Sequence, residues 1–122
     1  MSTARLHTWD TIESDRPMPK IERRRVIGTN MMISKVHLSA GFELASHRHE
    51  NEQHVVMVSG RCLFGLGAPG TPEFREVEVR GGQVLELPGN VWHSCRAIED
   101  SVIFDVFSPV SATTGVDTVQ RR

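Results

Sequence analysis

The strongest constraint on this chain is the rhythm of its turns. Gly28-Thr29-Asn30, Ala40-Gly41, Ser59-Gly60, Gly67-Ala68-Pro69-Gly70, Gly81-Gly82, Pro88-Gly89-Asn90 and Glu99-Asp100 recur at short intervals between β-branched, apolar runs. Gly, Asn and Pro favour backbone angles that end regular structure, so each cluster punctuates the chain. The intervening runs are too short for ordinary helices, and apolar residues do not recur at helical spacing. Strands are predicted over 25–27, 31–38, 42–44, 52–59, 62–66, 74–79, 83–87, 91–96 and 102–107. Closely spaced short strands fold as an all-β sandwich or barrel. With 122 residues, one domain is expected. Its expected bounds are 17–111, between polar tails at 1–16 and 112–122 that are expected to be mobile.

Composition narrows the partners. Hydrophobic residues make up 39% and charged residues 24%, which suits a globular core. A net charge of -1 gives no electrostatic reason to expect nucleic acid. No apolar stretch approaches the roughly eighteen residues of a membrane-spanning helix. The first residues lack the apolar core of a secretory signal, so a cytoplasmic address is expected. The basic run Ile21-Glu-Arg-Arg-Arg-Val26 reads as a charged strand edge. Cys62 and Cys95 are too few and too separated for a disulfide framework and read as small thiols. Met31, Met32 and Met57 read as core filler. Exposed strand edges need cover, and pairing of the segment 12–26 with a second subunit would make a homodimer.

The chemistry concentrates in the stretch from Gly41 to Gly60, where three histidines and a glutamine fall within eight residues. Side chains two apart on a strand share a face, so His47, His49 and Gln53 point one way and His54 the other. Val55 and Met57 follow Gln53 inward, on a strand expected to be buried on both sides. A strand, a Pro-Gly turn and His93 follow in Gly82 to Ala97. If His93 lies opposite His47 and His49, three imidazoles and one amide oxygen surround a point. Such donors suit divalent transition metals. The bland reading, a histidine pair on a solvated strand, stays open from spacing alone. His7 and His37 have no partner in sequence.

The spacing Gly41-x5-His47-x-His49-x3-Gln53-x6-Gly60, then Gly82-x5-Pro88-x-Asn90-x2-His93, resembles the two signature motifs of the cupin superfamily. The resemblance implies a double-stranded β-helix, a jelly-roll-like barrel with a metal inside its mouth. The departures are Gln53 for a more usual Glu, Asn90 for a frequent Gly, and Ala97 for an occasional Asn. The runs 19–41, 49–60 and 97–109 further resemble KdgF-type monocupins, which open 4,5-unsaturated monouronates toward linear keto forms. That likeness implies one divalent metal (Zn, Ni, Fe or Mn) on His47, His49, Gln53 and His93. It also implies roles for Asp105 and Phe107, and a small anionic substrate. Ser111 stands where these proteins carry an arginine, and Arg25 or Lys35 would have to grip the carboxylate instead.

An all-neutral ligand set leaves a metal its full dipositive charge, which favours Lewis-acid work on an anion. Asp105 lies on an apolar strand, where a bare buried carboxylate is costly. It must be paired, with Arg25 or Arg96, or serve as an acid/base. Phe107 would wall the sugar ring or simply pack the core. Cys95 shares the face of His93 and would line the pocket, while Trp92 faces outward. Three rivals remain: an iron-dependent dioxygenase, a cupin that folds polyketide chains, and a metal-holding binding protein without catalysis.

Overall fold

A computed structural model describes residues 3–110. Ser111 and the expected tail at 112–122 lie outside the described residues. Among the described residues nine strands follow a single 3-10 turn, Trp9–Thr11. They are β1 (Ile21–Ile27), β2 (Met32–Leu38), β3 (Glu43–His47), β4 (Glu52–Ser59), β5 (Arg61–Leu66), β6 (Arg75–Arg80), β7 (Val84–Leu87), β8 (His93–Ala97) and β9 (Ser101–Ser108). Every expected strand is present. Among the described residues no helix is long and apolar enough to cross a membrane.

All pairings are antiparallel, in a sheet of order β1-β2-β9-β4-β7 facing a sheet of order β3-β8-β5-β6. Alternation decides which residues the two sheets trap between them. Across the first sheet one inner row runs Met32, Phe107, Gln53, Leu87, with Ile27 exposed at its edge. The next row inward runs Arg25, Ser34, Asp105, Val55, Leu85. The facing sheet sets the row His47, His93, Leu66, Arg75 beside the row Leu44, Cys95, Phe64, Val77. Strand directions then give the barrel two unlike ends. The connections 28–31, 48–51, 67–74 and 88–92 gather at one end, here called the mouth, with every expected ligand. The opposite end is closed by Ile21, Val36, Leu38, Phe42, Met57 and Cys62, all buried.

Two turns show why their residues were chosen. Gly60 joins β4 to β5 with φ of +89°, and a Cβ there would stand 2.3 Å from Ser101 Oγ. No other residue fits. Asn90 has φ of 66°, a left-handed angle that Asn tolerates better than most side chains. This accounts for Asn where the motif often has Gly. Its N–H bonds His49 O at 2.8 Å, so the two motifs clasp through main chain.

Several expectations change. β4 is not buried on both sides: Val58 is 49% exposed and Val56 half-buried, because this sheet covers the core with one face. Met31 is 55% exposed on the β1–β2 hairpin, unlike buried Met32 and Met57. Within the segment 8–15, placed by expectation in the N-terminal tail, Trp9 and Asp15 make contacts with the barrel. The Trp9 ring lies 5.7 Å from Phe104, and Asp15 forms a two-way backbone bridge with Arg23. Trp9 thereby covers apolar surface that the outer face of β9 would leave wet. Within this chain, 21–27 pairs with β2 as the edge strand of its sheet. The basic run is an edge strand, yet Arg23 is buried and held by both Asp15 oxygens at 2.8 and 3.1 Å.

Candidate metal centre

His47 and His93 are directly opposed on β3 and β8. Gln53 approaches from β4 of the facing sheet, and His49 hangs from the connection that crosses between the sheets. Strand parity therefore places His47 correctly, but His49 reaches the site through loop geometry. The ligating atoms of His47, His49 and His93 all lie within 4.8 Å of one another. Their ring centroids are 4.3 to 5.7 Å apart.

The orientation of each ring carries more information than its proximity. His47 Nδ1 is 3.0 Å from Ala45 O, His49 Nδ1 is 3.1 Å from Asn51 O, and His93 Nδ1 is 2.9 Å from Val91 O. A carbonyl only accepts, so each Nδ1 donates, and each neutral ring presents a bare Nε2 lone pair. The Gln53 Oε1, another acceptor, stands 3.2 Å from His49 Nε2. Acceptors that converge without a proton between them are what a cation would satisfy. This donor set fits a divalent transition metal. Burial lowers the pKa of His47, and takes that of His93 down to about 4, against the opposing pull of their carbonyl partners. Both rings are thus neutral, metal-ready bases at ordinary pH.

The other half of the Gln53 amide explains why it is not a glutamate. Its Nε2 donates to Asp105 Oδ1 at 3.0 Å. A glutamate would set two carboxylates together here, and one would have to take a proton. Burial raises the Asp105 pKa to about 6, with the Gln53 bond and the Arg23 charge opposing. Neither Arg25 nor Arg96 pairs with it. Arg25 lies 3.5 Å from Asp15 Oδ2, and Arg96 faces outward. Lys35 also points outward, level with Phe104, so neither proposed substitute grips a carboxylate in the cavity.

The cavity behind the ligands is about 60 Å³. His47, Gln53, His93 and Asp105 are its polar lining, with Cys95 and Phe107 among apolar walls. Phe107 also packs edge-on against His49 at 5.8 Å. Sequence separation hid the relation of the cysteines. Cys62 and Cys95 are diagonal neighbours on β5 and β8, and contact with Cys62 plus burial raises the Cys95 pKa. Cys95 stays a thiol, a poor competitor for the metal.

Asn51 escaped notice. It is buried, its carbonyl receives His49, and its side chain donates to Pro109 O. An Asn two residues beyond the second histidine was the available signal. On the outer face Glu52, His54 and Glu86 form a second close group, exposed and apart from the cavity.

No family model and no curated protein matches this chain. Solved structures do. KdgF from Halomonas sp. aligns with a TM-score of 0.80 at 22% identity, over 90% of this chain and 97% of that one. An RmlC-like cupin from Shewanella frigidimarina gives 0.79 at 17%, over 90% and 95%. Oxalate decarboxylase from Lactobacillus farciminis gives 0.78 at 13%, over 93% of this chain and 35% of that longer one. The fold is that of the cupins, with a histidine cluster that supports metal binding. Among them the chain resembles KdgF, a small cupin of nearly its own length.

Proposed function

We propose that this protein is a metal-dependent isomerase that opens the ring of a 4,5-unsaturated monouronate or a closely related small sugar acid. One observation carries the reading: the Gln53 amide joins the convergence point of the histidine lone pairs to the Asp105 carboxylate, Oε1 on one side and Nε2 on the other. The likeness to KdgF supports it. His47, His49 and His93 through Nε2, and Gln53 through Oε1, would hold the metal. When bound, it supplies Lewis-acid polarisation of a substrate oxygen.

The chain's own groups do the rest. Asp105 moves a proton from the anomeric hydroxyl to ring carbon 4 as the ring C–O bond opens, so an aldehyde and a ketone form without oxidant or water consumed. A carboxyl poised near neutrality suits both halves of that transfer. Gln53 fixes the carboxylate, and Phe107 keeps His49 in place while walling the chamber. Pockets that enclose drug-sized ligands run to roughly 300–1,000 Å³. A cavity of about 60 Å³ admits only the reacting edge of a sugar and leaves the ring at the mouth. That same size favours a second reading, chemistry on a much smaller organic acid. Oxygen activation at iron is less well served, because two histidines and a carboxylate are its usual ligands.

Incubating the metal-loaded protein with unsaturated galacturonate should accelerate loss of the C=C absorbance. Asp105→Asn should slow this by about 10²–10⁴-fold, the usual range for a positioned acid/base. No acceleration over buffer removes the ring-opening reading, and full activity in the Asn variant removes the role of Asp105.

A further inference from the structure

His47 and His93 are fixed by the pairing of β3 with β8, and Gln53 by the register of β4 on β9. His49 has no such support, because it stands in the connection 48–51. Its main chain is pinned from one side, where Asn90 N–H bonds His49 O at 2.8 Å. Its ring is aimed by a different contact, the 3.1 Å approach of Nδ1 to Asn51 O. The direction of His49 Nε2 therefore depends on what holds Asn51.

That support comes from the end of β9. The two strands pair as far as Glu52 opposite Ser108, which puts Pro109 next in register to Asn51. Proline has no N–H, so it makes no claim on Asn51 O, and that carbonyl stays open to the imidazole. The buried Asn51 side chain supplies a donor of its own, from its amide to Pro109 O. Residue 108 is braced in turn, since Ser108 Oγ donates to Asn30 O at 2.8 Å in the β1–β2 connection. We infer that Asn51 is a positioning residue that sets metal affinity through His49, with residues 108 and 109 as the strut it leans on. The inference rests on the reading of the site as a metal centre. It requires an amide at 51, because a carboxylate of the same shape would meet the Pro109 carbonyl acceptor to acceptor.

The test titrates zinc into the metal-free full chain, with affinity read by calorimetry. Asn51→Asp should weaken binding by about 10–100-fold, the usual worth of a group that orients a ligand from behind. Asn51→Gln keeps the donor on a longer arm and should fall between Asp and wild type. Ser108→Ala removes only an exposed hydroxyl and should weaken binding by about two- to fivefold, the worth of one hydrogen bond. Loaded with cobalt(II), Asn51→Asp should shift and weaken the visible bands as the His49 ligand is lost. A role in stability alone would leave those bands unaltered, and Met57→Ala, a closed-end control, should keep both the bands and the zinc affinity of wild type. Wild-type zinc affinity or a wild-type cobalt spectrum in Asn51→Asp overturns the inference. Should that variant not fold, wild-type affinity in both Asn51→Gln and Ser108→Ala overturns it instead. A wild type that takes up no zinc overturns the centre and the inference together, whereas zinc bound regardless of Asn51 overturns the inference and leaves the centre standing.

Discussion

The two ends of the barrel treat buried polar atoms in opposite ways. At the closed end the Ser101 hydroxyl bonds Glu99 O at 2.9 Å, and Cys62 Sγ approaches it at 3.6 Å. Its hydrogen bonding is completed locally, inside a wall of Met57, Ile103 and Leu38. At the mouth each imidazole has one nitrogen satisfied by a carbonyl and the other aimed at a shared point. A polar atom that is saturated where it stands is structural. One held by its far side, with its near side open toward others, is prepared for a ligand.

The sharpest break in that contrast comes from His93→Ala, which removes one of three converging lone pairs. Metal bound per chain, measured on purified protein, should fall from about one ion to a small fraction, with melting changed far less. Full retention of metal would defeat the site. Met57→Ala at the closed end should do the reverse. It should cost roughly 2–5 kcal/mol in denaturant unfolding, by loss of a buried side chain, with metal content kept. Metal loss in that variant would show that the ends are not independent.

Gln53→Glu tests the link between metal point and acid. Metal should bind at least as tightly, since a carboxylate replaces an amide, yet turnover of unsaturated galacturonate should drop at least tenfold. Unchanged turnover would show that the amide donation to Asp105 is dispensable.

The smallest effect is in pH dependence of the metal-free protein. The His93 pKa is depressed from 6.5 to about 4, so the unfolded chain binds that proton first and stability falls between those values on acidification. Asp105 is raised from 3.8 to about 6, so the folded chain binds first and stability rises over nearly the same window. The two oppose each other. Asp105→Asn should therefore steepen the acid-side loss in urea titrations at pH 6.5 and 4.5. An unchanged slope would contradict the paired assignment.

Much of this could be read from residue order because the fold follows local chemistry. Turn residues marked seven of the eight connections between strands, all but 48–51, and parity put His47, Gln53, Val55 and Met57 on the inner face. The failures have a common cause in pairing between distant strands. Gln53 and Asp105 are 52 residues apart, and only the register of β4 on β9 makes them partners. The burial of Arg23 depends likewise on Asp15 returning along β1, and parity separates Arg23 from Arg24 but not from Arg25. His49 reached the site although parity does not extend across a loop. The agreement there was right in outcome and incomplete in reason. Ser111, where the resembling proteins carry an arginine, lies beyond the described residues.

The three carbonyls that orient the imidazoles belong to Ala45, Asn51 and Val91, and a carbonyl is the one acceptor every amino acid possesses. The tautomers of the centre are consequently written in backbone path, not in side-chain identity. Positions 45 and 91 are free to vary without disturbing the chemistry, provided the main chain keeps its course. A site built this way can be carried through extensive substitution of its surroundings. Its weak points are few and predictable: the ligands, the Asn51 anchor, and the tight turn of Gly89 against the Glu50 carbonyl, where a Cβ would come within 2.6 Å.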